Sequence, residues 1–386
     1  MDADALSRLL GGVAIPASAS GVLVADLAAL RRNYRKLRDV ASSAECAGVV
    51  KGDGYGVGAQ QVARALAVEG CRTFFVATLS EAEALRPAIG EAALYVLDGL
   101  PPGSAPDYTA ISARPVLGDL REVEEWAAFC AARGETLPSA LHVDTGMNRL
   151  GLKAADREAV LTRPEQIEGA GVDLLMSHLA CADTPDHPKN RQQLAYFSAL
   201  AAKLPARRRS LANSAGTLLS SNFHFDLVRP GIALYGGNPF AGRANPMEPV
   251  IRLYGRILQI GEARAGETVG YGAAQTLTRP TRYATVAVGY ADGYLRALGS
   301  TDARPGAIGH IDGMAVPMLG RVSMDLTVFD ITDLPPEKAQ RGGFIELIGP
   351  QFTVDDAASL AGTIGYEILT SLGPRYTRIY LGAETA

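Results

Sequence analysis

Strands alternating with helices over the first 240 residues, then strands and turns with little helical periodicity, predict an N-terminal (β/α)8 TIM-like barrel followed by a C-terminal mainly-β domain. Two observations carry the first half of that expectation: short apolar runs recur at regular intervals, and amphipathic segments of helical spacing fill the gaps between them. A third marks the boundary, because after Gly236 the chain turns to Gly, Pro and Asn in GNPFAGRANPMEP, which reads as a linker. The barrel is expected over 22–240 and the β domain over 246–386. A doubly wound sheet is the competing arrangement for the first half.

Residues 1–20 are rich in Ala, Gly and Ser and are expected to be partly disordered. The segment VLVADLAALRRNYRKLRDV, from Val22, reads as a strand and then a helix whose basic residues gather toward its end, where the helix dipole favours them. Eight strand candidates follow, at 47–50, 73–77, 93–97, 114–117, 140–143, 173–177, 210–212 and 232–235. Helical segments lie between most of them, at 60–69, 80–86, 119–133, 190–203 and 214–221. Beyond the linker, RLYGRILQIGEARAGETVGYG, TRYATVAVGYADGY, GHIDGMAVPMLGRVSMDLTVFDI and GFIELIG are strand-like, and helical periodicity returns only over 354–372.

At 386 residues the chain is too long for one ordinary core, and 47% hydrophobic with 20% charged residues is a globular composition. A formal net charge of -4 argues against nucleic acid or an anionic membrane as partner and leaves a small molecule as the expected substrate. Cys46, Cys71, Cys130 and Cys181 are widely spaced and form no C-x-x-C pair, so neither a metal site nor a disulfide framework is signalled. MDADALSRLL lacks a basic leader and no uncharged apolar run reaches membrane-spanning length, so a cytoplasmic location is expected.

The stretch with most chemical content is AGVVKGDGYGVG, from Ala47 to Gly58. Val49 and Val50 end an apolar run and deliver Lys51 into a loop holding four glycines. An amine pressed against apolar neighbours loses solvation, its pKa falls, and the neutral fraction can form a Schiff base with a carbonyl, as pyridoxal phosphate (PLP) chemistry requires. Tyr55 could return a phenol to a phosphate oxygen. Two other readings stand beside this one: a surface lysine in a strand-to-helix turn, and a loose dinucleotide fingerprint from Gly54, Gly56 and Ala59 with Glu81 or Glu83 as its acid.

Further polar residues stand at expected strand ends, where a barrel builds its site: DTGMNR with Arg149, then His178, Asn213 with Ser214, and Arg229. Ser214 opens a helix, as a phosphate seat or as a plain N-cap. Gly231 and Ile232 offer backbone N–H donors to the same phosphate. Arg229 precedes a proline, which holds its backbone extended; facing a pyridine nitrogen, a guanidinium would keep its own proton and weaken the cofactor as an electron sink. A surface salt bridge is its other reading. His178 is equally a structural hydrogen-bonder or a proton carrier, and Arg149 either holds a substrate carboxylate or answers Asp144.

Taken together, VVKGDGYGVG, HVDTGMNRLG, SHLACAD, ANSAGTL, DLVRPGIALYG, VGYGAAQT, VGYADGYLRAL, GRVSMDLT and GYEILTSLGPRYTRIY resemble, in order and along almost the whole chain, the PLP-dependent bacterial alanine racemases built from a barrel and a β domain. The resemblance implies that Lys51 carries PLP and acts as base on one face of the substrate, and that Tyr271, from the partner subunit of a homodimer, acts on the other. It implies that Tyr55, Ser214, Gly231, Ile232 and Tyr366 bind the phosphate, that His178 lies between the tyrosine and Arg229, that Arg149 and Met324 meet the substrate carboxylate, and that Tyr290 narrows the entrance. Two bases on opposite faces are what inversion at Cα needs. A free tyrosine, with a pKa of about 10, needs positive charge nearby to serve as one. The expected reaction interconverts L- and D-alanine, supplying D-alanine for peptidoglycan. A racemase of another small amino acid such as serine, a decarboxylase of similar architecture, and a PLP-binding protein with little turnover are the alternatives. The chain departs from the family twice: His142 stands where many members carry a lysine, often carbamylated, that orients the substrate-binding arginine, and KGDGYG replaces the more usual KANAYG.

Overall fold

The computed structural model describes residues 1–204 and 206–383, and the chain divides into two units, Leu30–Met247 and Met1–Ala29 together with the chain from Glu248 onward. Strand β1 (Gly21–Asp26) belongs to the second of these, so the barrel expected to begin at residue 22 begins later. The reason is local: nearly every residue of β1 is buried, and its hydrogen-bonding partners on both sides are strands from the far end of the chain. Positions 384–386 of the expected β domain lie outside the described residues.

In the barrel unit, β2 (Glu45–Cys46) and β3 (Gly48–Val49) form one stave interrupted at Ala47. From β3 the sheet runs in parallel through β4 (Thr73–Val76), β5 (Ala93–Val96), β6 (Arg114–Leu117), β7 (Ser139–His142), β8 (Val172–Met176) and β9 (Arg208–Ser210). A short strand, β10 (Leu227–Val228), completes the circle by pairing in parallel with β2. Its flanks carry the closure: Glu45 N–H donates to Asp226 C=O (2.9 Å) and Ala47 N–H to Val228 C=O (3.0 Å), while on the other side Arg229 N–H donates to Ala212 C=O (2.9 Å). TFFV, ALYV and SALH are buried almost throughout, as strands of a covered parallel sheet must be.

The expected eighth strand at 232–235 is instead a 3-10 turn, Ile232–Tyr235, closed by Leu234 N–H on Gly231 C=O (2.8 Å). A four-residue apolar run is buried in either conformation, so its pattern does not discriminate. The true eighth stave is two residues long and too short to leave a pattern.

At the strand starts the barrel is plugged by charge. Tyr95 donates its hydroxyl to Asp173 (2.8 Å) and accepts from Arg114 (3.0 Å) and Arg208 (2.9 Å), while Arg208 also binds Glu45 (2.8 Å), which accepts from Thr73 (2.6 Å). Burial and the Asp173 carboxylate push the Tyr95 phenol well above its usual range, so it stays protonated.

In the other unit β1 lies between β11 (Ile251–Ala263), antiparallel, and β15 (Thr377–Leu381), parallel. The long β11 is shared: its first half pairs with β1 and β14 (Phe344–Ile348), and past a register shift near Leu258 its second half pairs with β12 (Thr281–Val286), which continues to β13 (Thr327–Asp330). A β-bulge lets one strand change partners in this way. The N-terminus is ordered, against expectation: Ala3–Leu9 is a helix capped by Asp2, and Leu6 and Leu10 pack with Val22, Val24, Tyr254 and Phe344. The helical stretch expected over 354–372 is two helices, Val354–Ala361 and Gly365–Ser371, because Gly362 takes φ 73° and ends the first.

Tyr95→Phe should cost the barrel about 2 kcal/mol, since it leaves a half-buried carboxylate and two guanidinium groups short of a partner. Urea unfolding checks the loss, and the residues at the opposite mouth should be unaffected.

Candidate active site

All the barrel residues singled out from the sequence follow strand ends and so collect at the carboxyl-terminal mouth. Lys51 comes directly after β3 and Val50, and the next four residues turn left-handed: Gly52, Asp53 and Gly54 have φ/ψ of 62/43°, 51/50° and 60/45°, and Tyr55 has φ 54°. Such a conformation costs L-residues roughly 1–2 kcal/mol each, which is why glycines alternate here with Asp53 and Tyr55. Local bonds hold it: Gly54 N–H on Val50 C=O (2.8 Å), Gly56 N–H on Gly52 C=O (2.7 Å), and Ala59 N–H on the Asp53 carboxylate (2.9 Å) at the start of helix Ala59–Val68. The reversal throws Tyr55 back under cover, stacked on Tyr235 with centroids 4.6 Å apart. An added Cβ on Gly231 would fall 2.1 Å from the Tyr55 hydroxyl, so only glycine admits the phenol this close to the backbone.

The loops of the mouth are joined in pairs by single side chains. Glu81, in helix Leu79–Ile89, accepts from Gly52 N–H (2.7 Å) after β3 and from Ala77 N–H (2.7 Å) after β4. Glu122 accepts from Leu100 N–H (3.2 Å) after β5 and Gly118 N–H (2.6 Å) after β6. Gln193, fully buried in helix Pro188–Ala201, donates to Thr145 Oγ1 (3.0 Å) after β7 and to His178 C=O (2.9 Å) after β8, and accepts from Ala180 N–H (2.9 Å). Ser214, after β9, accepts from Gly231 N–H (2.8 Å) and Ala233 N–H (3.3 Å) after β10. Asn213 caps helix Ser214–Leu219 through Gly216 N–H (3.0 Å), which leaves the Ser214 hydroxyl free for this span. Glu122 and Gln193 are not among the site candidates of the sequence, and Glu81 enters there only as the acid of a dinucleotide fingerprint; Thr78-x-x-Glu81 is also a capping-box spacing.

The mouth holds a buried guanidinium. Arg229, 4% exposed, donates to Ser210 Oγ and to Ser177 C=O (2.6 Å), both neutral, and no carboxylate among the described residues pairs with it. Burial lowers its pKa to about 10, which leaves it charged at neutral pH. Burial, then the Arg149 charge, lowers Lys51 from its ordinary value, with Asp98 and Glu81 opposing. Burial and the charges of Arg229 and Arg149 hold His178 well below the usual imidazole range, and burial with Arg229 holds His142 at about 4. Both imidazoles are therefore neutral and answer no negative charge.

Asp144 does not hold Arg149. It accepts from Gly146, Met147 and Asn148 N–H (2.8, 2.9 and 3.2 Å) and from Lys153 Nζ. Burial alone would raise its pKa, but Lys153 and the three turn amides outweigh it and leave it at about 2. Arg149 stands exposed, with no ion pair among the described residues.

In the β unit, Tyr271 lies in a short turn between Gly270 (φ 74°) and Gly272 (φ 73°) and is 71% exposed. Tyr290 and Met324 are brought together by Tyr290 N–H on Ser323 C=O (3.0 Å) and Ala291 N–H on Met324 C=O (2.9 Å). Arg375 ties the same two segments by binding Asp292 (2.6 Å) and Asp325 (2.8 Å). Tyr366 is in the first turn of helix Gly365–Ser371, 38% exposed.

The barrel residues fit PLP. The group needs a lysine with a lowered pKa, hydroxyl and amide donors for a phosphate, and a partner for its ring nitrogen. Lys51 supplies the first, the close set of Tyr55 hydroxyl, Ser214 hydroxyl and Gly231 N–H supplies the second, and the spare donors of Arg229 suit a neutral acceptor. The chain matches the model of the alanine racemase N-terminal domain over 25–239 and of the alanine racemase C-terminal domain over 250–380. It is 51% identical to an alanine racemase of Methylobacterium sp. (strain 4-46) over 93% of this chain and 97% of that one, and 47% identical to a catabolic alanine racemase of Mesorhizobium japonicum over 95% and 94%. A crystal structure of Bartonella henselae alanine racemase with covalently bound pyridoxal phosphate superposes with a TM-score of 0.88 at 38% identity, over 94% of this chain and 99% of that one.

A histidine that titrates near 6.5 unfolded but near 4 folded makes stability fall as pH drops through that window, because only the unfolded chain takes up the proton. Denaturant unfolding at pH 7 and pH 4.5 should show a loss of about 2–3 kcal/mol from His142, with His178 adding in the same direction. His142→Asn should lose correspondingly less over the same interval.

Proposed function

Because the chain belongs to the alanine racemase family, isomerases dependent on PLP, we propose that it interconverts L- and D-alanine by a two-base mechanism, with Lys51 as cofactor-bearing amine and first base and Tyr271 of a partner subunit as second. The observation that carries this reading is a lysine of lowered pKa delivered by a left-handed turn into a mouth whose buried arginine meets only neutral oxygens. Bound PLP supplies an electron sink that acidifies the Cα–H of the attached amino acid.

The chain's own residues do the rest. Tyr55, Ser214, the N–H groups of Gly231 and Ile232, and Tyr366 would hold the phosphate. Arg229, keeping its proton at a pKa of about 10, would donate to the ring nitrogen and so weaken the group as an electron sink. Arg149 and the Met324 backbone hold the substrate carboxylate, and Tyr290 narrows the entrance against longer side chains. Lys51 moves a proton at one face of Cα and Tyr271 at the other, which inverts the centre without the substrate turning over. His178, held neutral, hydrogen-bonds between Tyr271 and Arg229 and passes the arginine's field to the phenol.

The 71% exposure of Tyr271 in a single chain supports its delivery to a second copy in a homodimer. No described helix is long and apolar enough to cross a membrane, and the four cysteines are free thiols, which suits the reducing cytoplasm. The D-alanine formed would enter peptidoglycan; the same chemistry also serves catabolism, as the name of the Mesorhizobium relative records.

In heavy water with L-alanine the protein should erase optical rotation and deuterate Cα, faster than with serine or larger amino acids; unchanged rotation in every case would refute the reading. In Tyr271→Phe, deuteration of L-alanine should fall by about 100-fold or more. D-alanine should still be deuterated without inversion, since Lys51 alone removes and returns a proton on its own face. Equal, small effects on the two enantiomers would remove Tyr271 from the mechanism.

A further inference from the structure

We propose that Glu81 is a positioning residue for Lys51, holding the left-handed turn that aims the lysine amine by spending one carboxylate oxygen on the turn and the other on the neighbouring strand end. This rests on the reading of Lys51 as the cofactor-bearing amine. The geometry is specific. Gly52, whose N–H meets Glu81 Oε1 at 2.7 Å, is the residue directly after Lys51 and the first of the left-handed run. Ala77, whose N–H meets Glu81 Oε2 at 2.7 Å, directly follows the adjacent stave, so the carboxylate measures the turn against the end of the rigid sheet.

Glu81 also sits at the third position of helix Leu79–Ile89, where Thr78 and glutamate form a capping box. That role does not explain its bond lengths. The capping contact to Thr78 N–H is 3.4 Å, whereas the two bonds to other segments are 2.7 Å. A helix cap has no need of Gly52, 29 residues earlier in the chain. Gly52 is exposed, so water can take over its N–H when the carboxylate is removed, and the cost falls on the direction of the turn more than on folding. Val50 N–H on Phe75 C=O (2.9 Å) ties the residue before Lys51 to β4, and Glu81 ties the residue after it to the end of the same stave.

The carboxylate is the right group for the task. Two backbone N–H donors from different segments need two acceptor oxygens on one rigid plane, and charge-assisted bonds are the strong ones. A glutamine offers one oxygen and turns its NH2 against the second N–H; an aspartate keeps the charge but is a methylene short of spanning both.

The test compares Glu81→Gln, Glu81→Asp and Thr78→Val as PLP-loaded enzymes. Thr78→Val breaks the same helix cap without touching the turn. Both Glu81 variants are expected to lower kcat by about 10- to 100-fold, with KM for alanine within about threefold. Both should also weaken PLP retention by about tenfold on dilution, read from the visible absorption of the bound cofactor. Thr78→Val should lose comparable thermal stability and keep parental kcat and PLP retention. Glu81 variants that match Thr78→Val in every readout would overturn the proposal and leave the function standing. A parent protein that forms no borohydride-reducible adduct at Lys51 would overturn both.

Discussion

A parallel barrel leaves the loops at its mouth with backbone donors that the sheet cannot satisfy, and in this chain four pairs of neighbouring loops are each closed by one side chain that both share. Glu81 spans the loops after β3 and β4, Glu122 those after β5 and β6, Gln193 those after β7 and β8, and Ser214 those after β9 and β10. Each spanning residue belongs to a helix that follows one of its two staves, so the sheet and the helix layer are engaged together. Lys51, Arg149, His178 and Gly231 all lie in loops held this way, and a site on loops needs such bracing to be accurate.

The charge of these spanning residues follows the charge of the mouth. Carboxylates serve the half that carries Lys51, and the neutral Gln193 and Ser214 serve the half that carries Arg229. An acid beside Arg229 would neutralise it; its bonds to Ser210 and Ser177 instead leave its charge available to whatever the mouth binds. His142 and His178, both held neutral, keep that field uncompensated. The opposite end of the barrel uses charge differently, pairing Arg114 and Arg208 with Asp173 and Glu45 around Tyr95, and there the ion pairs close the fold. Function at the strand ends and stability at the strand starts is the usual division of labour in this architecture.

What could be read from the sequence was what depends on short range. The Lys51 stretch is legible because a glycine at every second position announces positive φ, and the buried staves are legible because both faces of a parallel sheet are apolar. Ile232–Tyr235 was misassigned as a strand because a short apolar run has no period. The N-terminal helix and β1 went to the wrong unit or to none because their partners, Tyr254, Phe344 and β15, are more than 200 residues away. Glu81, Glu122 and Gln193 look like ordinary surface residues of amphipathic helices until the fold shows which loops their ends meet. The place of Arg149 was open between Asp144 and other partners; Lys153, nine residues after Asp144, had already taken the carboxylate.

Paired bracing can be tested apart from any chemistry, by hydrogen–deuterium exchange at the mouth in the parent and in Glu122→Ala. Exchange over 97–103 and 117–119, which hold Leu100 and Gly118, should accelerate together by about 10-fold or more, while Gly52 and Ala77 keep their parental protection. Acceleration of only one of the two segments, or of all the mouth loops alike, would contradict the claim that the loops are held two by two.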